Sequence, residues 1–313
     1  MKQPIDSLDS VLGPTQTRYF SYGFSRFHFQ VLNFHLEGRD RMLGSFCVQY
    51  DGPARPQQQT VHLGSIEYLA MGLFLAEGIL IKQMRLTRHE INRSLLKRLS
   101  IHIKKSQDLN PQLEVPFAIS IVESYQDLNS INIGLTSLQL KIQDAQMRIV
   151  IDHPGPTQID LRDFELWPFS NDSLHQDLYR FRELELEQIH LDQSEESISA
   201  QLLHPQAYGL DTWGFSAYDN PLSPLDSVRI SGQLMQVLLY ALISSNRKDC
   251  PNIWLRSMVI DLMRPYQLER YRVDLQFNQR QQTMLRGKPW QTISLSSQIG
   301  NMNANFKICH EMP

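Results

Sequence analysis

The sequence has few cysteines, no long hydrophobic run and no excess of either charge. Its three cysteines lie far apart, so neither a disulfide framework nor a Cys-X-X-Cys metal site is indicated. No apolar run approaches the roughly 20 residues that cross a bilayer, and the first residues lack a signal-peptide core. Thirty Lys and Arg balance 33 Asp and Glu, which argues against a nucleic-acid partner. We expect a cytoplasmic protein with free thiols and no membrane span.

The common cofactor and hydrolase motifs are missing as well. The chain contains no P-loop and no GxGxxG, GxSxG or HExxH pattern. We therefore expect no cofactor and no metal ion, and any chemistry must come from side chains and backbone groups.

What the chain does contain is a buried-helix pattern that occurs twice. Over residues 65–82 and again over residues 225–244, apolar side chains cover most of the helix circumference. Pro224 suits a first helical position, and Ser223 with Asp226 matches a capping box. After each helix the pattern changes to the alternation that is typical of strands. Two units related by a shift of 157 to 162 residues explain these repeats.

One long apolar helix followed by antiparallel strands that curl around it is the pattern of the hot-dog fold. Two copies predict an α+β double hot-dog, with two long central helices each wrapped by its own antiparallel sheet. We place the N-terminal unit at residues 1–155, a charged connecting segment at 156–196 and the C-terminal unit at 197–313. The charges after Ser173 favour a solvated connecting helix.

Polar residues at the starts of the two helices are the candidates for catalysis. His62 lies just before Gly64 and Ser65, where a strand leads into the first helix, and its imidazole could act as a general base. The alternative is a loop histidine bonded to a nearby carbonyl. Asp226 either only caps the second helix or also takes part in catalysis. The sequence leaves both questions open.

Further polar residues could line a pocket beside these helix starts. Arg229, Gln233 and Gln236 form a polar stripe that faces a ligand, a water-filled pocket or the other helix. The shift of 162 places Glu67 where Arg229 stands in the second helix. Arg256 could bind a phosphate or carboxylate, whereas Trp254 is more often a core residue. The candidates for substrate binding are Ser65, Glu67, Arg229, Gln233, Gln236, Trp254 and Arg256.

Several segments resemble the avirulence D family (AvrD) of plant-associated bacteria. They are Ser223 to Asp226, Gly232 to Gln236, Leu239-Tyr240, Trp254 to Arg256, and Tyr22 to Phe27. Members of that family are implicated in making syringolides, which are acyl-sugar elicitors, and the related A-factor synthases are double hot-dog proteins. The resemblance implies a β-ketoacyl transfer from coenzyme A or acyl carrier protein to a small sugar-like or polyol acceptor. It assigns no catalytic residue, so His62 and Asp226 are inferred from position alone.

Two other functions compete with this one. Polyketide dehydratases are double hot-dogs that use a histidine and an aspartate, but their HxxxGxxxxP pattern fails here because Ile66 stands where the glycine belongs. Their glutamine or histidine four residues after the aspartate is Ile230 here. A dehydratase or thioesterase is therefore the second choice. A non-catalytic acyl-ligand binder is the alternative of another class, although no helix-turn-helix unit remains that would make it a regulator.

Overall fold

The structure is a computed structural model, and it describes most of the chain. The described residues are 3–52, 61–105, 113–126, 133–155, 167–168, 173–203, 212–215, 222–246, 253–263, 270–285 and 287–312.

The first half of the chain builds one long helix and six principal strands. A short strand and a short helix precede them, β1 (Gln3–Ile5) and α1 (Leu8–Leu12). The remaining elements of this half are β2 (Phe27–Glu37), β3 (Arg41–Tyr50), α2 (Ser65–Met84), α3 (Arg88–Asn92), β4 (Leu95–Ile103), β5 (Leu113–Gln126), β6 (Ile133–Ile142) and β7 (Ala145–Pro154).

The second half repeats the same order of elements. Its elements are β8 (Leu186–Asp192), β9 (Ser197–Leu203), α4 (Pro224–Leu242), β10 (Ile253–Leu262), β11 (Arg270–Leu285), β12 (Lys288–Ile299) and β13 (Met302–Glu311). Each half is thus a strand pair, a long helix and four further strands, which confirms the order of elements predicted for a hot-dog unit.

All thirteen strands belong to one antiparallel sheet. Its order is β1-β8-β9-β11-β12-β13-β10-β4-β7-β6-β5-β3-β2, so the principal strands of the two halves follow the same order outward from the centre. Strands β4 and β10 join the halves, with Ser100 opposite Val259. We predicted that each helix is wrapped by its own antiparallel sheet, and the structure corrects this in one respect, because the strands of the two halves are continuous across this seam.

The two long helices are buried along nearly their whole length. Every residue of α2 from Ser65 to Ile81 is buried, as is every residue of α4 from Pro224 to Tyr240 except Gln236. At Gly78 a Cβ atom would lie 2.1 Å from the ring of Trp167, so only glycine permits this approach. The capping box predicted from Ser223 and Asp226 is confirmed at α4, whereas at α2 only the carboxylate of Glu67 caps, by accepting from the Gly64 N–H.

The charged segment after Ser173 differs from the solvated helix expected there. Its described residues form a short 3-10 helix (Leu178–Phe181) and then β8, which pairs with β9. The physical reason is that Ile189 and Leu191 are both buried and lie two residues apart, a spacing that suits a strand. Strand β8 thus joins the sheet of the second half, while the domain boundaries near residues 155 and 196 stay predictions.

Candidate functional site

Polar side chains gather where the start of α4 faces the middle of α2. Ser223 and Pro224 begin α4, Glu77 comes from the fourth turn of α2, and His175 comes from the turn before the 3-10 helix. The seam between β4 and β10 lies beside them through Leu96 and Leu262. The site is therefore built from both halves of the chain.

His175 and Glu77 form a buried pair. The Nδ1 atom of His175 lies 2.7 Å from Oε1 of Glu77, and the two side chains are 1% and 0% exposed. An ionised carboxylate only accepts hydrogen bonds, so the proton of this hydrogen bond lies on Nδ1 of His175. The pair thus fixes the orientation of the ring.

The segment 212–215 holds the Glu77 carboxylate in place. The Phe215 N–H donates to the same Oε1 atom at 2.9 Å. Asn92 anchors this segment by accepting from the Gly214 N–H at 2.8 Å. Gly214 has φ +144°, and a Cβ there would lie 2.9 Å from Oε1 of Glu77, so the position requires glycine. Oε2 of Glu77 is buried and has no hydrogen-bond partner among the described residues.

A cavity opens between the pair and the start of α4. Its unfilled space is about 300 Å³ when the open solvent is counted, and it has room for about one water molecule. His175 and Ser223 supply its polar lining, and the apolar lining comes from Leu73, Leu96, Leu174, Phe215, Leu222 and Leu262. The cavity combines apolar walls with a few polar groups, as ligand sites do.

Asp226 lies at the centre of a buried charge cluster. Its Oδ2 atom accepts from the Ser223 N–H at 2.9 Å and from Arg182 Nη1 at 2.8 Å, and its Oδ1 atom lies 3.5 Å from Arg229 Nη1. Arg229 also donates to the Arg182 carbonyl at 2.8 Å and packs 4.3 Å above the ring of Phe24. Asp226 therefore caps α4 and neutralises two arginines, and its catalytic role stays a prediction.

His62 lies at the other helix start and stacks on Trp254. The ring centroids are 4.7 Å apart, the planes differ by 28°, and both residues are half-buried. Among the described residues, the hydrogen-bond and ion-pair partners of Asp226 do not include His62. The structure thus brings His62 to Trp254 rather than to Asp226.

The N-terminal segment shows how the two helix starts are arranged. Tyr19 donates to Glu67 Oε2, in the first turn of α2, at 2.5 Å, whereas Ser21 donates to Gln233 in the third turn of α4 at 2.6 Å. The start of α2 therefore lies near the third turn of α4. A joint catalytic role of His62 and Asp226 stays a prediction.

The capping carboxylates also correct the predicted correspondence between the two helices. Glu67 accepts from the Gly64 N–H at 2.7 Å, just as Asp226 accepts from Ser223. Glu67 therefore corresponds to Asp226, at a shift of 159, and not to Arg229. The carboxylate of Glu67 and burial together raise the pKa of nearby Tyr179, burial being the larger cause.

The remaining substrate-binding candidates make protein contacts or lie apart from the cavity. Oε1 of Gln233 accepts from Ser21 and from Arg18 Nη1, and its amide nitrogen donates to the Arg229 carbonyl at 3.3 Å. Arg256 donates to the Lys104 carbonyl at 3.0 Å. Ser65 is buried and Gln236 half-buried. None of the seven candidates is among the residues that line the described cavity.

The chain matches the family model of the Pseudomonas avirulence D protein (AvrD) over residues 3–313. This protein belongs to the AvrD family. No curated protein sequence matches it. The AvrD resemblance predicted from the sequence is thereby confirmed.

Solved structures similar to this AvrD-family chain share little sequence with it. The tesB protein of Mycobacterium avium subs paratuberculosis is 10% identical, with 90% of this chain and 97% of that chain covered and a TM-score of 0.42. The 12:0-ACP thioesterase from Umbellularia californica is 10% identical, with 88% and 98% covered and a TM-score of 0.42. The dehydratase domain of PpsC from Mycobacterium tuberculosis, solved with C12:1-CoA, is 7% identical, with 90% and 98% covered and a TM-score of 0.42.

The described residues of this AvrD-family chain show neither a metal site nor a membrane-spanning helix. No cluster of three or more His, Cys, Asp or Glu side chains there is arranged to hold a metal ion. None of its described helices combines the length and the apolar character that crossing a membrane requires.

The buried pair of His175 and Glu77 was not predicted from the sequence. Glu77 did carry a signal, because a carboxylate inside a wholly apolar helix needs a buried partner. His175 carried none, since its partner lies 98 residues away along the chain. Cys250, one of the three cysteines expected to be free thiols, lies outside the described residues.

Proposed function

We propose that this AvrD-family protein is an acyltransferase that acts on acyl thioesters in the cytoplasm. In this proposal it moves a β-ketoacyl group from coenzyme A or acyl carrier protein to a small sugar-like or polyol acceptor. The product is a small-molecule signal or elicitor of the syringolide type. Membership of the AvrD family supports this choice of reaction.

The observation that carries the proposal is the cavity between the two halves. A thioester is a polar reacting group at the end of an apolar chain, and the cavity has the matching character, with His175 and Ser223 set among leucines and Phe215. In this proposal the thioester carbonyl lies in the cavity, beside His175 and Ser223.

The start of α4 supplies the electrostatics that acyl transfer needs. A negative charge develops on the thioester oxygen when a nucleophile adds to the carbonyl carbon, and the positive end of a helix stabilises such a charge. Pro224 has no N–H, so the first main-chain donor of the helix is Leu225.

The experiment is turnover of a β-ketoacyl-coenzyme A by the purified protein, with and without a polyol acceptor such as glycerol. Acyltransfer predicts free thiol release that requires the acceptor, together with an ester product detected by mass spectrometry. Thiol release without acceptor would show that the protein is a thioesterase. Loss of water from a β-hydroxyacyl thioester would show a dehydratase, and binding without turnover would show an acyl-ligand binder. Each of these three results would overturn the proposal.

A matched pair of variants connects the activity to the cavity. Leu262→Trp adds bulk at the cavity wall, where Leu262 is 7% exposed, and we expect loss of turnover. Leu285→Trp makes the same change at an exposed residue at the end of β11 and serves as the control. Equal turnover in both variants would place the reaction elsewhere.

A further inference from the structure

We propose that His175 is the catalytic base of this cavity and that Glu77 is the residue that positions it. This assignment rests on the acyltransferase function proposed above. It replaces His62, which stacks on Trp254 and is not among the cavity-lining residues.

A gain in folding stability does not explain why Glu77 and His175 are buried together. Removing a carboxylate and an imidazole from water is costly, and a buried ion pair often stabilises a protein no more than apolar residues of equal volume. Glu77 stands in an otherwise apolar stretch of α2 and caps no helix. The only hydrogen bonds of its side chain with described residues are those that Oε1 accepts from His175 and Phe215. The carboxylate thus serves to hold the imidazole.

The orientation of the ring is the one that a general base needs. Because Nδ1 is bound to Glu77, the opposite nitrogen Nε2 is the atom that is left for a substrate. The ring lines the cavity, and Ser223 and Pro224 at the start of α4 line the same cavity. A reacting carbonyl between them would have a base on one side and the positive helix end on the other.

The reaction follows from this arrangement. Nε2 of His175 takes the proton of an acceptor hydroxyl while the hydroxyl oxygen forms a C–O bond to the thioester carbonyl carbon. The resulting oxyanion faces the start of α4. The C–S bond then breaks, and the imidazolium returns its proton to the leaving thiolate. One ester and one thiol are formed, and no oxidant or cofactor is consumed.

Three variants separate catalysis from structure. His175→Ala removes the base. Glu77→Gln removes the charge but keeps an oxygen that can accept from both Nδ1 and the Phe215 N–H. His153→Ala is the matched control, because His153 is also buried but bonds to Thr136 and is not among the cavity-lining residues.

We expect His175→Ala to lower kcat by roughly 10²–10⁴-fold with little change in KM, and added imidazole to restore part of the loss. Glu77→Gln should lower kcat as well, by up to about 10⁴-fold if the ring depends on the charge as in serine-hydrolase triads. Nitrogen-15 NMR of the histidines should show the Nδ1–H form of His175 in the wild type and a mixture of forms in Glu77→Gln. His153→Ala should retain the wild-type kcat.

The outcomes distinguish this assignment from the proposed function. Turnover that persists in His175→Ala would overturn the assignment alone. The loss of turnover could instead follow a lowered melting temperature, resist rescue by imidazole and appear equally in His153→Ala. That result would show a structural role for His175 and would also overturn the assignment. No turnover of any thioester by the wild type would overturn the proposed function and the assignment with it.

Discussion

Replacing Asp226 by asparagine tests whether the charge cluster at the start of α4 is structural. The amide keeps one acceptor oxygen for the capping box but removes the charge that faces Arg182 and Arg229. Breaking a buried ion pair by removing one partner costs about 3–5 kcal/mol. For a chain of this size each kcal/mol lowers the melting temperature by roughly 2 °C. We therefore expect Asp226→Asn to melt about 6–10 °C below the wild type.

Glu67→Gln is the matched control, because Glu67 occupies the same capping position in α2. Tyr19 and the Gly64 N–H both donate to its carboxylate. Losing charge-assisted bonds of this kind costs about 1–2 kcal/mol, so we expect a decrease of roughly 2–4 °C. Differential scanning calorimetry measures both variants. Equal decreases, or a change in Asp226→Asn of less than 2 °C, would refute the view that Asp226 mainly compensates two buried arginines.

Three further predictions follow from the same structure. Gln233→Leu should lower the free energy of unfolding by about 1–3 kcal/mol in urea denaturation, because Arg18 and Ser21 lose their acceptor; unchanged stability with weakened acyl binding would favour a ligand role instead. Burial raises the pKa of the Cys309 thiol, so this cysteine should react with a thiol reagent at pH 8 far more slowly in the folded than in the unfolded protein, and equal rates would contradict this. Burial lowers the pKa of His310, so the unfolded state binds more protons and stability should fall as the pH drops through 6.5. His310→Asn should flatten that part of the curve, and an unchanged slope would exclude His310 as its source.

The local pattern of the sequence was sufficient to predict the repeated unit. Apolar side chains around the whole circumference predict a wrapped helix, and alternation predicts strands, because both periods follow from backbone geometry. The pairing of β4 with β10 was not predictable in this way, because hydrogen bonds between strands 157 residues apart leave no local signal. The strand β8 had a weaker signal in its alternation, which its charges outweighed.

The site was predicted only in part, for a related reason. Proline and a capping box identify the start of α4, so Asp226 was found. Its two arginine partners include Arg182, which comes from the segment expected to be a solvated connection. The predicted shift of 162 aligned the two helices by the similarity of their sequences and not by their capping carboxylates, which correspond at a shift of 159. An error of three residues rotates a helix by about 300°, which moved Glu67 onto the position of Arg229.

The two halves have the same topology, so their two helix starts differ only in the side chains around them. Because the halves share one strand order, backbone geometry alone offers an equivalent helix start on each side of the seam. At α2 the capping carboxylate of Glu67 meets a tyrosine, and the nearby His62 stacks on Trp254. At α4 the capping carboxylate of Asp226 meets arginines, and a histidine held by Glu77 lines the adjoining cavity. In the proposed reaction, a base held by Glu77 works beside the positively polarised start of α4, and this difference between the two helix starts is why we assign the reaction to α4.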